Sequence, residues 1–156
     1  MNFIIGIDGG GSKTIGRLIK ANAATELNES VLKQDANVFT HETRGSSLSQ
    51  NFDSSVSTLK DLVNQLFCLA GEQALLESKE LMAMHTVSIT LGLAGAGNKA
   101  LATRCQNKLQ EWLPSAIIKV FEDCDTALAG ALGRELEKAQ EDVSVGLISL
   151  GTGSFF

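Results

Sequence analysis

The sequence predicts an α/β protein built on a mixed sheet of about five strands with helices on its faces. Three observations predict it. Short apolar runs, several of them β-branched, recur along the chain; from residue 53 onward they alternate with segments whose apolar residues repeat every three or four positions; and glycine clusters stand just after several of the runs. A leading three-strand meander followed by strand–helix alternation requires both antiparallel and parallel pairing in one sheet.

Phe3 to Asp8 is an apolar run ending in an acid and glycines, which predicts a buried strand and a tight turn. Thr14 to Lys20 alternates and predicts a second strand, antiparallel to the first. Glu26 to Lys33 predicts a third, weaker strand, and Gln34 to Asp53, rich in Ser, Asn and Thr, reads as an irregular loop. Val56, Leu59, Leu62, Val63, Leu66, Phe67 and Ala70 then fall on one face of a long helix, capped by Asp53, Ser54 or Ser55. Glu72, Leu75 and Leu76 keep the pattern, so that helix is expected to continue past Gly71 through Leu76. Thr86 to Leu93 is a β-branched strand. Asn98 to Trp112 is an amphipathic helix through Leu101, Cys105 and Leu109, ended by Pro114. Ala116 to Phe121 is a strand, Thr126 to Lys138 a helix with Leu128, Ala131, Leu132 and Leu136 inward, and Val143 to Leu150 a last strand.

Composition narrows the function classes. A net charge of −5, from 13 basic and 18 acidic residues, leaves no lysine-rich stripe to release counterions from phosphates, which argues against a nucleic-acid partner. No apolar run approaches the ~18 residues of a membrane span, and the N-terminal residues lack a signal peptide's basic region. Cys68, Cys105 and Cys124 form no CxxC pair and read as reduced, mostly buried thiols, which predicts a cytoplasmic location.

Four clusters carry possible chemistry. In Asp8-Gly9-Gly10-Gly11-Ser12-Lys13-Thr14 the glycines let backbone N–H groups approach an anion and reach φ values other residues resist. Ser12 and Thr14 add hydroxyls, Lys13 a cation, and Asp8 a carboxylate able to hold magnesium through water. The plain alternative is a hairpin bend that binds nothing. It is not a P-loop, because Ser12 rather than Gly precedes Lys13 and a strand follows.

Gly92-Leu93-Ala94-Gly95-Ala96-Gly97 is the second cluster. Gly95 to Ala100 also fits the loose dinucleotide pattern GxGxxA, with Glu122 where a ribose-binding acid would stand. The third is Glu122-Asp123-Cys124-Asp125 at a strand's carboxyl end, where an aspartate can act as general base or simply cap a helix. The fourth, Gly151-Thr152-Gly153-Ser154, has the composition of a second phosphate clamp.

Taken in order, these clusters resemble the actin-like, sugar-kinase and heat-shock-protein ATPase superfamily. The pattern is most similar to the BadF/BadG/BcrA/BcrD-type branch, which includes N-acetylglucosamine kinase and bacterial glucosamine kinase. The resemblance spans the whole chain and implies a ribonuclease-H-like domain over residues 1–142. Residues 143–156 would be the first strand and turn of a second such domain. It further implies that ATP phosphates are held by Gly9, Gly10, Gly11, Ser12, Lys13 and Thr14 and by Gly151, Thr152, Gly153 and Ser154, with Asp8 orienting Mg²⁺. Asp123 would be the catalytic base, with Asp125 as its nearest competitor. The Ala36-Asn37 pair looks like the family's Ala-Asn element, which makes Asn37, with Gly95 and Asp123, a sugar-binding residue.

The expected reaction is phosphorylation of an amino-sugar hydroxyl, on N-acetylglucosamine or glucosamine. The chain is expected to be the N-terminal portion of the enzyme, inactive alone, its last strand seeking a partner in a homodimer or in a missing remainder. Two other functions fit the superfamily. One is an ATPase activating a partner acyl-CoA reductase or dehydratase, for which no suitable cysteine pair is present; the other is a non-enzymatic sugar or nucleotide sensor.

Overall fold

A computed structural model describes residues 1–21 and 37–126. Their elements run β1 (Asn2–Gly9), β2 (Lys13–Ala21), β3 (Val38–Arg44), α1 (Phe52–Leu69), α2 (Ala74–Glu77), α3 (Lys79–Ala83), β4 (Thr86–Leu93), α4 (Lys99–Trp112) and β5 (Ile117–Glu122). The sheet order is β3-β2-β1-β4-β5. β2 pairs antiparallel with both β1 and β3, whereas β4 is parallel to β1 and β5 is parallel to β4. The mixed α/β sheet is therefore as the meander and the later alternation predicted.

Alternation along the strands sorts their side chains. Phe3, Ile5 and Ile7 of β1 stand level with Leu18 of β2 and with Val87, Ile89 and Leu91 of β4, and all are buried. Over this face lies α1, whose Leu59, Leu62, Val63, Leu66 and Phe67 are buried against it, and beside α1 runs α4 with Cys105 and Leu109. Gly16 of β2 brings the helix close: a Cβ there would meet Leu66 Cδ1 at 2.9 Å and Leu62 Cδ2 at 3.1 Å. Among the described residues no helix is long and apolar enough to cross a membrane.

Three local expectations are corrected. The segment Gln34 to Asp53, read as loop, contains β3, whereas the strand expected at Glu26 to Lys33 lies outside the described residues. Val38, Phe39, Thr40 and Thr43 suit a strand. Its partner among the described residues is β2, and its alternating Thr, His and Glu side chains mimic a loop. The long helix stops at Leu69 rather than Leu76. Gly71, at φ +72°, gives Cys68 its N–H at 3.0 Å while Glu72 donates to Phe67 at 2.9 Å, the paired bonds of a glycine-terminated helix end. Its start is capped by Asn51, whose Oδ1 accepts from Ser54 N at 3.0 Å, not by Asp53, Ser54 or Ser55.

The later elements agree closely. Asn98 caps α4, accepting from Ala100 and Leu101, and Cys105 and Leu109 face inward as the spacing required. Helical structure resumes at residues 123–126, three residues ahead of the expected start. The rest of that helix, the last strand and the proposed second domain lie outside the described residues.

Candidate functional site

The sheet register brings three of the sequence clusters to one edge. Gly9, Leu93 and Glu122, the last residues of β1, β4 and β5, stand level with one another. The turns that follow them, at Gly10–Ser12, Ala94–Asn98 and Asp123, therefore open side by side at the carboxyl edge of the parallel strands, where ligands bind in open α/β sheets. Two strand spacings separate the glycine bend from Asp123, roughly 10 Å. The Ala94–Asn98 turn after β4 lies between them.

In the bend itself, Gly10 N–H donates to Lys13 O at 3.0 Å and closes the hairpin. Among the described residues the N–H groups of Gly11 and Ser12 have no backbone partner, and Gly11, Ser12 and Lys13 are exposed. Space at Gly11 is open, the nearest atom to a Cβ there being Gln50 Nε2 at 3.5 Å. The glycines do not adopt the left-handed conformation expected of them: among the described residues positive φ occurs only at Gly71 and Gly95. Their use here is close approach. Lys13 Nζ stands 3.9 Å from Glu42 in a fully solvated pair and is held loosely.

Thr14 departs from its expected role. It is fully buried, and its hydroxyl donates to Ser46 Oγ at 2.8 Å, so it anchors the bend from inside instead of facing an anion. Asp8 is exposed at the same edge, on the sheet face opposite Gly9, and makes no ion pair among the described residues.

Asp123 follows β5 directly and is half-buried. Its Oδ1 accepts from Cys124 N at 2.9 Å, and Thr126 Oγ1 donates to its carbonyl at 2.9 Å, which fixes the first helical turn. Asp125 is exposed. Glu122 Oε2 accepts from the Cys124 thiol at 3.3 Å, and that bond, with desolvation and the neighbouring acids, raises the thiol's pKa.

Glu122 also bears on the dinucleotide reading. Its Oε1 would lie 2.5 Å from a Cβ on Gly97. That glycine is the one whose bare Cα must admit a pyrophosphate, and here a carboxylate occupies the approach.

Gly95, at φ +87°, belongs to the edge cluster. Asn37 does not. It precedes Val38, which pairs with Ile19 and so stands level with Ile4, five residues back along β1 from Gly9. That places it toward the opposite edge, about 17 Å from the bend. Gly151, Thr152, Gly153 and Ser154 lie outside the described residues.

A segment that sequence reading left as featureless loop joins the edge in Asn37's stead. Residues 45–51 (Gly-Ser-Ser-Leu-Ser-Gln-Asn) leave β3 at Arg44, which pairs with Lys13, and pass between the glycine bend and the Ala94–Gly97 turn. The signal was present: a glycine with serines after a strand is the composition that singled out Gly151 to Ser154.

The donor set fits a nucleotide phosphate with magnesium. Two N–H groups without a backbone partner among the described residues, the exposed Ser12 and Lys13 stand together on the bend, and Asp8 offers one exposed carboxylate. Among the described residues no three His, Cys, Asp or Glu side chains are gathered for a metal. Magnesium that arrives on phosphates keeps most of its water and needs only one or two carboxylates. No model of a known protein family matches the chain, and no curated protein matches it.

Proposed function

We propose that this chain carries the phosphate-binding bend and the base of an ATP-dependent amino-sugar kinase of the actin-like superfamily, working in the cytoplasm, with N-acetylglucosamine or glucosamine as substrate. The observation that carries the reading is the shared edge: the Gly9–Ser12 bend and Asp123 open side by side, two strands apart. A meander leading into parallel strands supports a ribonuclease-H-like architecture.

Gly11 and Ser12 N–H groups and Lys13 bind the terminal phosphates, where oriented donors oppose charge without reorganising. Asp8 would hold the water shell of a magnesium ion, which would supply charge neutralisation to the phosphates. Asp123 takes the proton of the attacking sugar hydroxyl, held by its cap to Cys124 N in a fixed orientation. Ser49 and Gln50, exposed on the loop beside Gly95 and Gly11, replace Asn37 as the polar groups facing the sugar. No observation favours the partner-activating ATPase: Cys105 is sealed in the core and Cys124 is bonded to Glu122.

The test is ADP release by the full-length protein, coupled to an optical readout, over a panel of amino sugars and plain hexoses. Asp123→Asn is expected to lower kcat by about 10²–10⁴-fold with little change in nucleotide KM. Turnover that survives Asp123→Asn removes the base; absence of turnover with every sugar removes the kinase.

A further inference from the structure

We infer that residues 45–49 form a strap coupling the phosphate bend to the turn after β4, with Ser46 as its positioning residue. The inference rests on the kinase reading and adds to it a device by which sugar and nucleotide sense one another.

Three loops are joined in a closed circuit of backbone bonds. Ser46 N–H donates to Gly10 O at 3.0 Å, Leu48 N–H to Ala94 O at 2.9 Å, and Ala94 N–H to Gly9 O at 2.8 Å. No loop of the three can shift without breaking a bond to one of the others. Side chains reinforce the circuit where it meets the bend: Thr14 Oγ1 donates to Ser46 Oγ at 2.8 Å, and both residues are fully buried.

Close backbone approach seals both ends. Gly45 lies so near Gly11 that a Cβ would collide with the Gly11 carbonyl. At the other end, a Cβ on Gly95 would meet Ser49 N at 2.8 Å. Because the three loops share these bonds, a ligand that shifts the Gly95 side is expected to shift the bend with it.

Ser46 touches no phosphate in this scheme. It sets where the Gly11 and Ser12 N–H groups point. Removing its hydroxyl strands that of Thr14 in a sealed position, and the bend is expected to relax away from its anion-ready shape.

The experiment measures the affinity of the full-length protein for Mg²⁺-ATP by calorimetry, without and with saturating N-acetylglucosamine, in the wild type, Ser46→Ala and Thr14→Val. Melting temperatures are recorded in parallel. In the wild type the sugar is expected to tighten nucleotide binding by at least about 5-fold, and in both variants that factor is expected to fall to within about twofold of unity. A purely architectural Ser46 would lower the melting temperature and leave the factor intact, which overturns the inference. A wild-type factor of one also overturns it, with the kinase reading standing. A wild type that binds no Mg²⁺-ATP overturns the kinase reading and the strap together. Thr14→Val preserves side-chain shape and carries the test if Ser46→Ala does not fold.

Discussion

Burial pushes the Cys105 thiol from an ordinary value of 9.0 up to about 11, while Cys68 sits exposed on α1. Alkylation of the native protein at pH 8 should therefore label Cys68 and spare Cys105, as peptide mapping would show. The same burial links folding to alkaline pH. A thiol whose folded pKa is raised holds its proton in the native state after the unfolded chain has released it. Its stabilising contribution is therefore complete below pH 9 and is lost as pH rises through about 11. On the order of 2–3 kcal/mol is at stake, to be read from denaturant midpoints at pH 8 and 10.5. At this scale the sequence was partly legible. Asp8, Ser12, Lys13, Gly95 and Asp123 reach the expected edge because each lies at or within a few residues of the carboxyl end of β1, β4 or β5. Thr14 is buried and Asn37 lies away from that edge, because hydroxyl or amide chemistry does not reveal which way a strand residue points, or at which end of a strand it sits.

Among the elements, α1 shows most plainly how local signals govern stability. Its first turn depends on Asn51, and Asn51→Ala should cost about 1 kcal/mol in chemical denaturation. Its last turn is held by Gly71 and by Lys20 of β2, whose Nζ lies 2.9 Å from both the Ala70 carbonyl and Glu72 Oε1. Between them, Leu62 and Leu66 press on Gly16. Gly16→Ala inserts a methyl group into that contact and should cost about 1–3 kcal/mol, measurable as a lowered melting temperature at unchanged activity. Apolar periodicity revealed the apolar part of this helix's buried face, since burial follows the 3.6-residue repeat, but not the buried Ser55 and Thr58. It did not reveal the helix's end, because Leu75 and Leu76 continue the repeat by chance after a glycine has already turned the chain, and Leu75 is buried from a separate short helix.

For the molecule as a whole, strand order fixes where rigidity lies. β1 is paired along its length on both sides, β4 is so from Ser88 to Leu93, and β3 has one described neighbour. Amide exchange should therefore be slowest in Phe3–Ile7 and Val87–Leu91 and much faster in β3, as mass spectrometry or NMR would resolve. The glycine bend is rooted in the most protected strand, which suits a clamp that must keep its shape. This architecture was legible because it depends on the alternation of elements; the position of β3 was not, because its Thr, His, Glu and Arg side chains carry the polarity of a loop.

The central place of β1 has a further consequence while the polypeptide is being made. β2 can pair with β1 within a short hairpin, but β4 is nearly eighty residues downstream, so the register Phe3↔Val87 closes only after a long stretch of synthesis. At ~5–20 residues per second, the apolar flank of Phe3–Ile7 waits for several seconds outside the ribosome with one side unpaired. Nascent chains stalled before residue 86 should recruit chaperones at this strand, and those released after residue 93 should not.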